Sequence, residues 1–150
     1  MVQFICEAFP QAEIIFAGDI IGDYPIWLDG YENLRYIPAT YNELPQIISS
    51  FDVAILPYFG EHQKLIPSEL FQYLACGKQV IASNMPNLPQ SKAIYISESI
   101  DEAVANLKIA LKNKECEDII ESAKNLASVN DWKYIYSNLI NGVYQVKNEE

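Results

Sequence analysis

The sequence predicts an α/β domain built on a doubly wound parallel sheet of about five strands with flanking helices, and three observations carry that expectation. Five short apolar runs rich in Ile and Val are bounded by Gly, Pro, Asn or Asp: Glu13–Ala17, Asn33–Ile37, Asp52–Leu56, Gln79–Ala82 and Ala93–Ile96. They alternate only partly between apolar and polar, as strands buried on both faces do. Helical patterns with short connections separate several of them, which calls for parallel pairing through crossovers. Finally, 150 residues, half of them apolar, make one domain with a sizeable core.

Taken in order, Met1–Phe9 reads as the tail of a helix, so the sequence starts partway through a βα unit. An open α/β sheet usually begins with the strand that becomes its centre, and that strand has no counterpart here. Leu44, Ile47 and Ile48 predict a short helix after the second strand, and Leu70, Phe71, Leu74 and Ala75 another after the third. Gly77, just past that helix, suits a left-handed cap. After the last strand, Ser99-x-x-Glu102 is a capping box that opens a helix through Val104, Leu107 and Leu111. A second helix is expected over Cys116–Ala127. Asp131 is a good N-cap for a final helix whose stripe is Trp132, Ile135, Tyr136, Leu139, Ile140, Val143 and Tyr144. Such a stripe is most often core packing, but it follows the completed sheet and so could also face a partner.

Twenty acidic residues against ten basic ones give a net charge of −10. A duplex-binding surface needs clustered Lys and Arg, and this balance argues against one. Cys6, Cys76 and Cys116 show no C-x-x-C spacing and read as buried thiols in a reducing compartment. No apolar run approaches the length of a membrane span, and no basic stretch precedes an apolar one. A soluble cytoplasmic domain is the expectation.

Ligands of open parallel sheets sit beyond the carboxyl ends of the strands, over helix N-termini. Three loops qualify: Gly18-Asp19, Pro38–Tyr41, and the longer Pro57–Ser68 (PYFGEHQKLIPS). Pro67 suits the first turn of a helix, and the N–H groups of Ser68, Glu69 and Leu70 would then face an anion. Every α/β protein places loops at this edge, so position alone does not make a site. His62 is the only histidine, and a lone loop histidine is more often solvated than catalytic. Glu61 and Glu69 could form a carboxylate pair, although such spacings arise by chance among twenty acids. Lys64 could offset an anion or simply solubilise a loop tip. There is no G-x-G-x-x-G, Walker A or G-x-S-x-G sequence, so dehydrogenase, P-loop and hydrolase readings lack their key residues.

The succession FPQAEIIFAGD, NLRYIPATYNELPQIISSFDVAILPY, PSELFQYLACGKQVIAS and NDW resembles the C-terminal half of GT-B glycosyltransferases. The nearest pattern is that of retaining enzymes of the bacterial cell-surface polysaccharide class. The resemblance runs from about Phe9 to Tyr144 and is most specific over Pro67–Ala82. It implies a Rossmann-like half that binds a nucleotide-sugar donor, with no metal or other cofactor expected and with the acceptor domain outside this chain. By the resemblance, Gly18, Pro38, Tyr58, Glu61, Lys64, Ser68, Glu69 and Gln72 fall at the donor site. The family's ribose-binding glutamate falls on Gln72, its diphosphate lysine on Glu69, and the proline of its Gly-Lys-Pro-Val on Gln79, which reads as a harmless departure. Its first catalytic-type glutamate falls on Lys64, so the pair Glu61/Glu69 is out of register by three and no catalytic residue is assigned. The final helix, through Trp132, Ile135, Tyr136, Leu139, Ile140 and Val143, would meet the acceptor domain, a partner subunit or a second copy. A location at the inner face of the membrane, through such a partner, is compatible with this.

Two function classes therefore stand side by side. One is the donor-binding portion of a glycosyltransferase, inactive alone because transfer needs donor and acceptor held in one cleft. The other is a non-catalytic interaction module that kept the half-fold and lost the site, as the residues at 64, 69 and 72 suggest. A flavodoxin-like or receiver-type protein ranks last, lacking acids at the first strand end and a phosphate-cradling Ser/Thr loop.

Overall fold

A computed structural model describes residues 1–19, 22, 26–58, 65–131 and 133–137, with backbone only at 27 and 28. The order is α1 (Val2–Ala8), β1 (Ile14–Ala17), a 3-10 helix (Ile26–Gly30), β2 (Leu34–Ile37), α2 (Leu44–Ser49), β3 (Val53–Leu56), α3 (Ser68–Ala75), β4 (Gln79–Ser83), β5 (Ile94–Ser97), α4 (Ile100–Lys112) and α5 (Glu117–Val129). All five expected strands are present and every pairing is parallel. The 3-10 helix has no apolar periodicity to announce it.

The strands form two sheets, β1-β2 and β3-β4-β5. Between the facing edges of β1 and β3 lies a cavity of about 640 Å³, lined by all four residues of each strand. The sequence anticipates a sheet without its customary first strand; the structure shows an open slot at the place where β1 and β3 would otherwise meet.

Alternation along the strands divides the interior into two cores. Ala54, Leu56, Val80 and Ala82 join Leu70 and Leu74 of α3 and Ala123 and Ala127 of α5. On the opposite face Ile81 joins Ile5 of α1 and Ala103, Leu107 and Ala110 of α4, with Val53 and Ile55 packed against them. Helices on both faces are what a doubly wound sheet requires. The buried face of α4 runs through Ala103, Leu107 and Ala110, with Leu111 packed against the same cluster and Val104 half-buried. Ala75, expected to pack, is exposed at the last turn of α3.

Local chemistry explains where the elements stop. The Ser99 hydroxyl accepts the Glu102 N–H at 3.1 Å, while the Glu102 carboxylate reaches the Glu98 N–H at 2.8 Å, a capping box displaced by one residue on its return arm. Asn33 donates to both the Cys6 and the Phe9 carbonyls at 3.0 Å, closing the C-terminus of α1 onto the start of β2. Gly77 takes φ +72°, with its N–H on the Leu74 carbonyl and the Lys78 N–H on that of Tyr73. That left-handed turn swings the chain from α3 into β4, as expected.

Of the cysteines, only Cys6 is fully buried. Cys76 is half-buried and Cys116, the N-cap of α5, is exposed, and all three are free thiols. The expectation of three buried thiols fails at Cys116 because a cap residue sits outside the helix's packed face. Asp131 caps a helical stretch at 133–137 through the Lys133 N–H at 2.7 Å, as expected. Tyr134 and Tyr136 there are 49 and 66% exposed. Trp132, Leu139, Ile140, Val143 and Tyr144 of the expected stripe lie outside the described residues.

Candidate functional site

Parallel strands all end on one edge, and the expected site residues follow from that fact. Gly18 ends β1 and Pro38 ends β2, where the Tyr36 hydroxyl donates to the Gly18 carbonyl at 2.7 Å. Tyr58 lies two residues past β3. Ser68 and Glu69 form the first turn of α3, and Gln72 follows on the same helical face by its spacing. Glu61 and Lys64, with His62, lie outside the described residues.

Three of these residues are brought into direct contact. The Tyr58 hydroxyl donates to one Glu69 carboxylate oxygen at 3.0 Å, and the Ser68 hydroxyl donates to the other at 3.3 Å. Tyr58 and Glu69, with Tyr73 beside them, close the carboxyl end of the slot between β1 and β3. Gly18, Pro38, Ser68 and Gln72 do not line it. A carboxylate in the first turn of a helix is favoured by the positive end of the helix dipole. Glu69 thus sits where the sequence suggested that an external anion could be held.

The start of α3 differs in one respect from expectation. Pro67 is the N-cap with extended backbone (φ −66°, ψ 139°), one residue before the helix rather than within its first turn. Its carbonyl accepts the Leu70 N–H at 3.1 Å, so that amide is already used. Only the Ser68 and Glu69 amides remain without a partner among the described residues.

Burial, then the hydrogen bond to Glu69 and its charge, push the Tyr58 phenol up to about 12. Burial, then the Glu69 charge, also raises Tyr73. A phenol whose folded-state value exceeds its ordinary one near 10 holds its proton longer in the folded state. The resulting stability is fully present below pH 10 and is lost as pH rises through about 12. Thermal unfolding followed across that window should therefore show a falling midpoint. Tyr58→Phe should shrink the fall, at a neutral-pH cost of about 1 kcal/mol for the lost hydrogen bond.

Sequence reasoning missed Gln79. It is 2% exposed, donates to the Asn113 carbonyl at 2.8 Å and accepts the Tyr95 hydroxyl at 2.8 Å. It joins the end of α4 to β4 and β5, in support of the fold rather than of a ligand. A polar residue opening an otherwise apolar strand was the available signal.

Among the described residues no cluster of His, Cys, Asp and Glu could hold a metal, and no helix is long and apolar enough to cross a membrane.

No family model matches the chain, and no solved structure matches it. Among curated proteins, it is 26% identical over 110 residues to the protein of Bacillus subtilis (strain 168) described as "Putative teichuronic acid biosynthesis glycosyltransferase TuaH". The match covers 69% of this chain and 28% of that protein's length. The chain thus spans well under a third of the curated relative it matches, and what it shares with that relative is a glycosyltransferase-like α/β fold.

Proposed function

We propose that this chain is the nucleotide-sugar-binding portion of a GT-B, retaining-type glycosyltransferase that builds a cell-surface polysaccharide, and that it does not transfer sugar by itself. The observation that carries this is the cluster of Tyr58, Ser68 and Glu69 at the carboxyl ends of parallel strands, taken with the likeness to a glycosyltransferase. A nucleotide would lie along the edge from Gly18 and Pro38 to the start of α3. Its diphosphate would meet the Ser68 and Glu69 amides, with Gln72 one turn further on toward the ribose.

Calorimetric titration with uridine, guanosine and adenosine diphosphates tests the reading, with one of the three expected to bind in the millimolar range. The Glu69 carboxylate would oppose a diphosphate, so Glu69→Gln should tighten that binding about tenfold. Silence from all three nucleotides, with wild type and variant alike, rejects the proposal. The Glu69 carboxylate, held by two hydroxyls at the helix start, also favours the second reading, a non-catalytic module whose own side chain occupies the anion position. That reading expects the silent titration.

A further inference from the structure

The first turn of α3 lacks a contact that helix starts commonly make. Its N-cap is Pro67, which has no side-chain oxygen to accept the first N–H groups. Glu69, the second residue of the helix, is placed to supply one, since the positive end of the dipole attracts its charge. Both of its oxygens are nevertheless turned elsewhere, one to the Tyr58 hydroxyl at 3.0 Å and the other to the Ser68 hydroxyl at 3.3 Å. The Ser68 and Glu69 amides keep no partner among the described residues.

The two hydroxyls are not equivalent. Ser68 is the exposed neighbour of Glu69 in the same turn, and its hydroxyl can follow the carboxylate wherever it goes. Tyr58 holds it from outside the helix, two residues past β3, with its ring packed against the core beneath α3. Burial, then Glu69 itself, pushes its phenol up to about 12, so the hydroxyl stays a donor throughout the neutral range.

We propose that Tyr58 is a positioning residue: it holds the Glu69 carboxylate off the start of α3, so that the Ser68 and Glu69 amides stay open to a phosphate of the bound nucleotide. This rests on the nucleotide reading above and adds to it the side chain that keeps the site accessible. Without the Tyr58 hydroxyl, the carboxylate turns back onto its own helix and accepts the same two N–H groups. It then competes with the phosphate as a tethered anion, which free nucleotide has to displace.

The test is Tyr58→Phe in the whole chain, examined first without nucleotide. Amide hydrogen exchange by NMR should slow at Ser68 and Glu69 by at least about tenfold as they gain an acceptor. Leu70, whose amide is already on the Pro67 carbonyl, should not change. Adding Glu69→Ala to Tyr58→Phe should return both amides to fast exchange. Affinity is the second measurement: whichever nucleoside diphosphate binds the wild type should bind Tyr58→Phe about tenfold more weakly. In the Glu69→Ala background, removing the Tyr58 hydroxyl should leave affinity unchanged. A merely structural role for the hydroxyl would weaken binding in both backgrounds and leave the two amides as they were, and either result overturns the proposal. Unchanged amides with nucleotide still bound reject the role of Tyr58 alone, whereas silence from every nucleotide, in wild type and variants alike, rejects it together with the nucleotide reading.

Discussion

Gln79→Leu is expected to lower the stability of the fold by about 2 kcal/mol, measured as a shift of the urea midpoint at unchanged slope. Leucine fills nearly the same volume, so packing alone would make the change mild. The two 2.8 Å hydrogen bonds add to the cost, because the half-buried Tyr95 hydroxyl loses its acceptor and the Asn113 carbonyl keeps only the Cys116 N–H. Asn113 is the C-cap of α4, and Tyr95 lies at the centre of β5, so the loss is felt in both. Gln79→Glu separates the two causes. Its carboxylate would face the Asn113 carbonyl oxygen without a proton to share, and stability would recover in acid, where a protonated glutamic acid can donate again. A folded-state pKa raised in this way adds stability below the ordinary carboxyl range and loses it as pH rises. A flat response to pH, or a loss under 1 kcal/mol in the leucine variant, would show that the bonds contribute little.

Gly77→Ala should cost about 2–3 kcal/mol, from two causes that can be measured apart. The first is the backbone: φ +72° lies in the left-handed region, where a Cβ meets the neighbouring carbonyl. The second is space. An added Cβ would stand 2.9 Å from Cγ2 of Ile120 and 3.0 Å from Cε of Lys124, both on α5. The lysine can swing away, but the isoleucine methyl belongs to the packing between α3 and α5. In a double-mutant cycle, Ile120→Ala should reduce the penalty of Gly77→Ala by the crowding part and leave the backbone part intact. Strict additivity of the two variants would remove crowding from the explanation.

The strands were legible because burial on both faces writes an unbroken apolar run, and Val80–Ala82 and Val53–Leu56 could hardly be anything else. Caps were legible for the same local reason: Ser99, Gly77 and Asp131 act within a few residues of themselves. What could not be read was anything decided across the chain. The return arm of the Glu102 box falls on Glu98 because of how the preceding strand ends. The role of Gln79 depends on Asn113, 34 residues away, and on Tyr95. At the candidate site, the edge and its residues were foreseeable. The carboxylate of Glu69 taking hydrogen bonds from Tyr58 and Ser68 was not, since Tyr58 reaches it across a loop with no pattern to read. The resemblance marked Glu69 as a foreign charge beside a phosphate, whereas the structure shows that charge already engaged.

The split between β1-β2 and β3-β4-β5 has a further consequence, for how the molecule comes apart. Among the described residues no backbone ladder crosses the slot, and the two parts meet through side chains such as Ile5, Ile14 and Leu107 in a shared apolar cluster. Regions held by fewer shared contacts open at lower free energy than the best-packed part. The front third of the chain is then expected to open more readily than the three-stranded part, seen as faster amide exchange at Ile14 and Phe16 than at Val80 and Ala82.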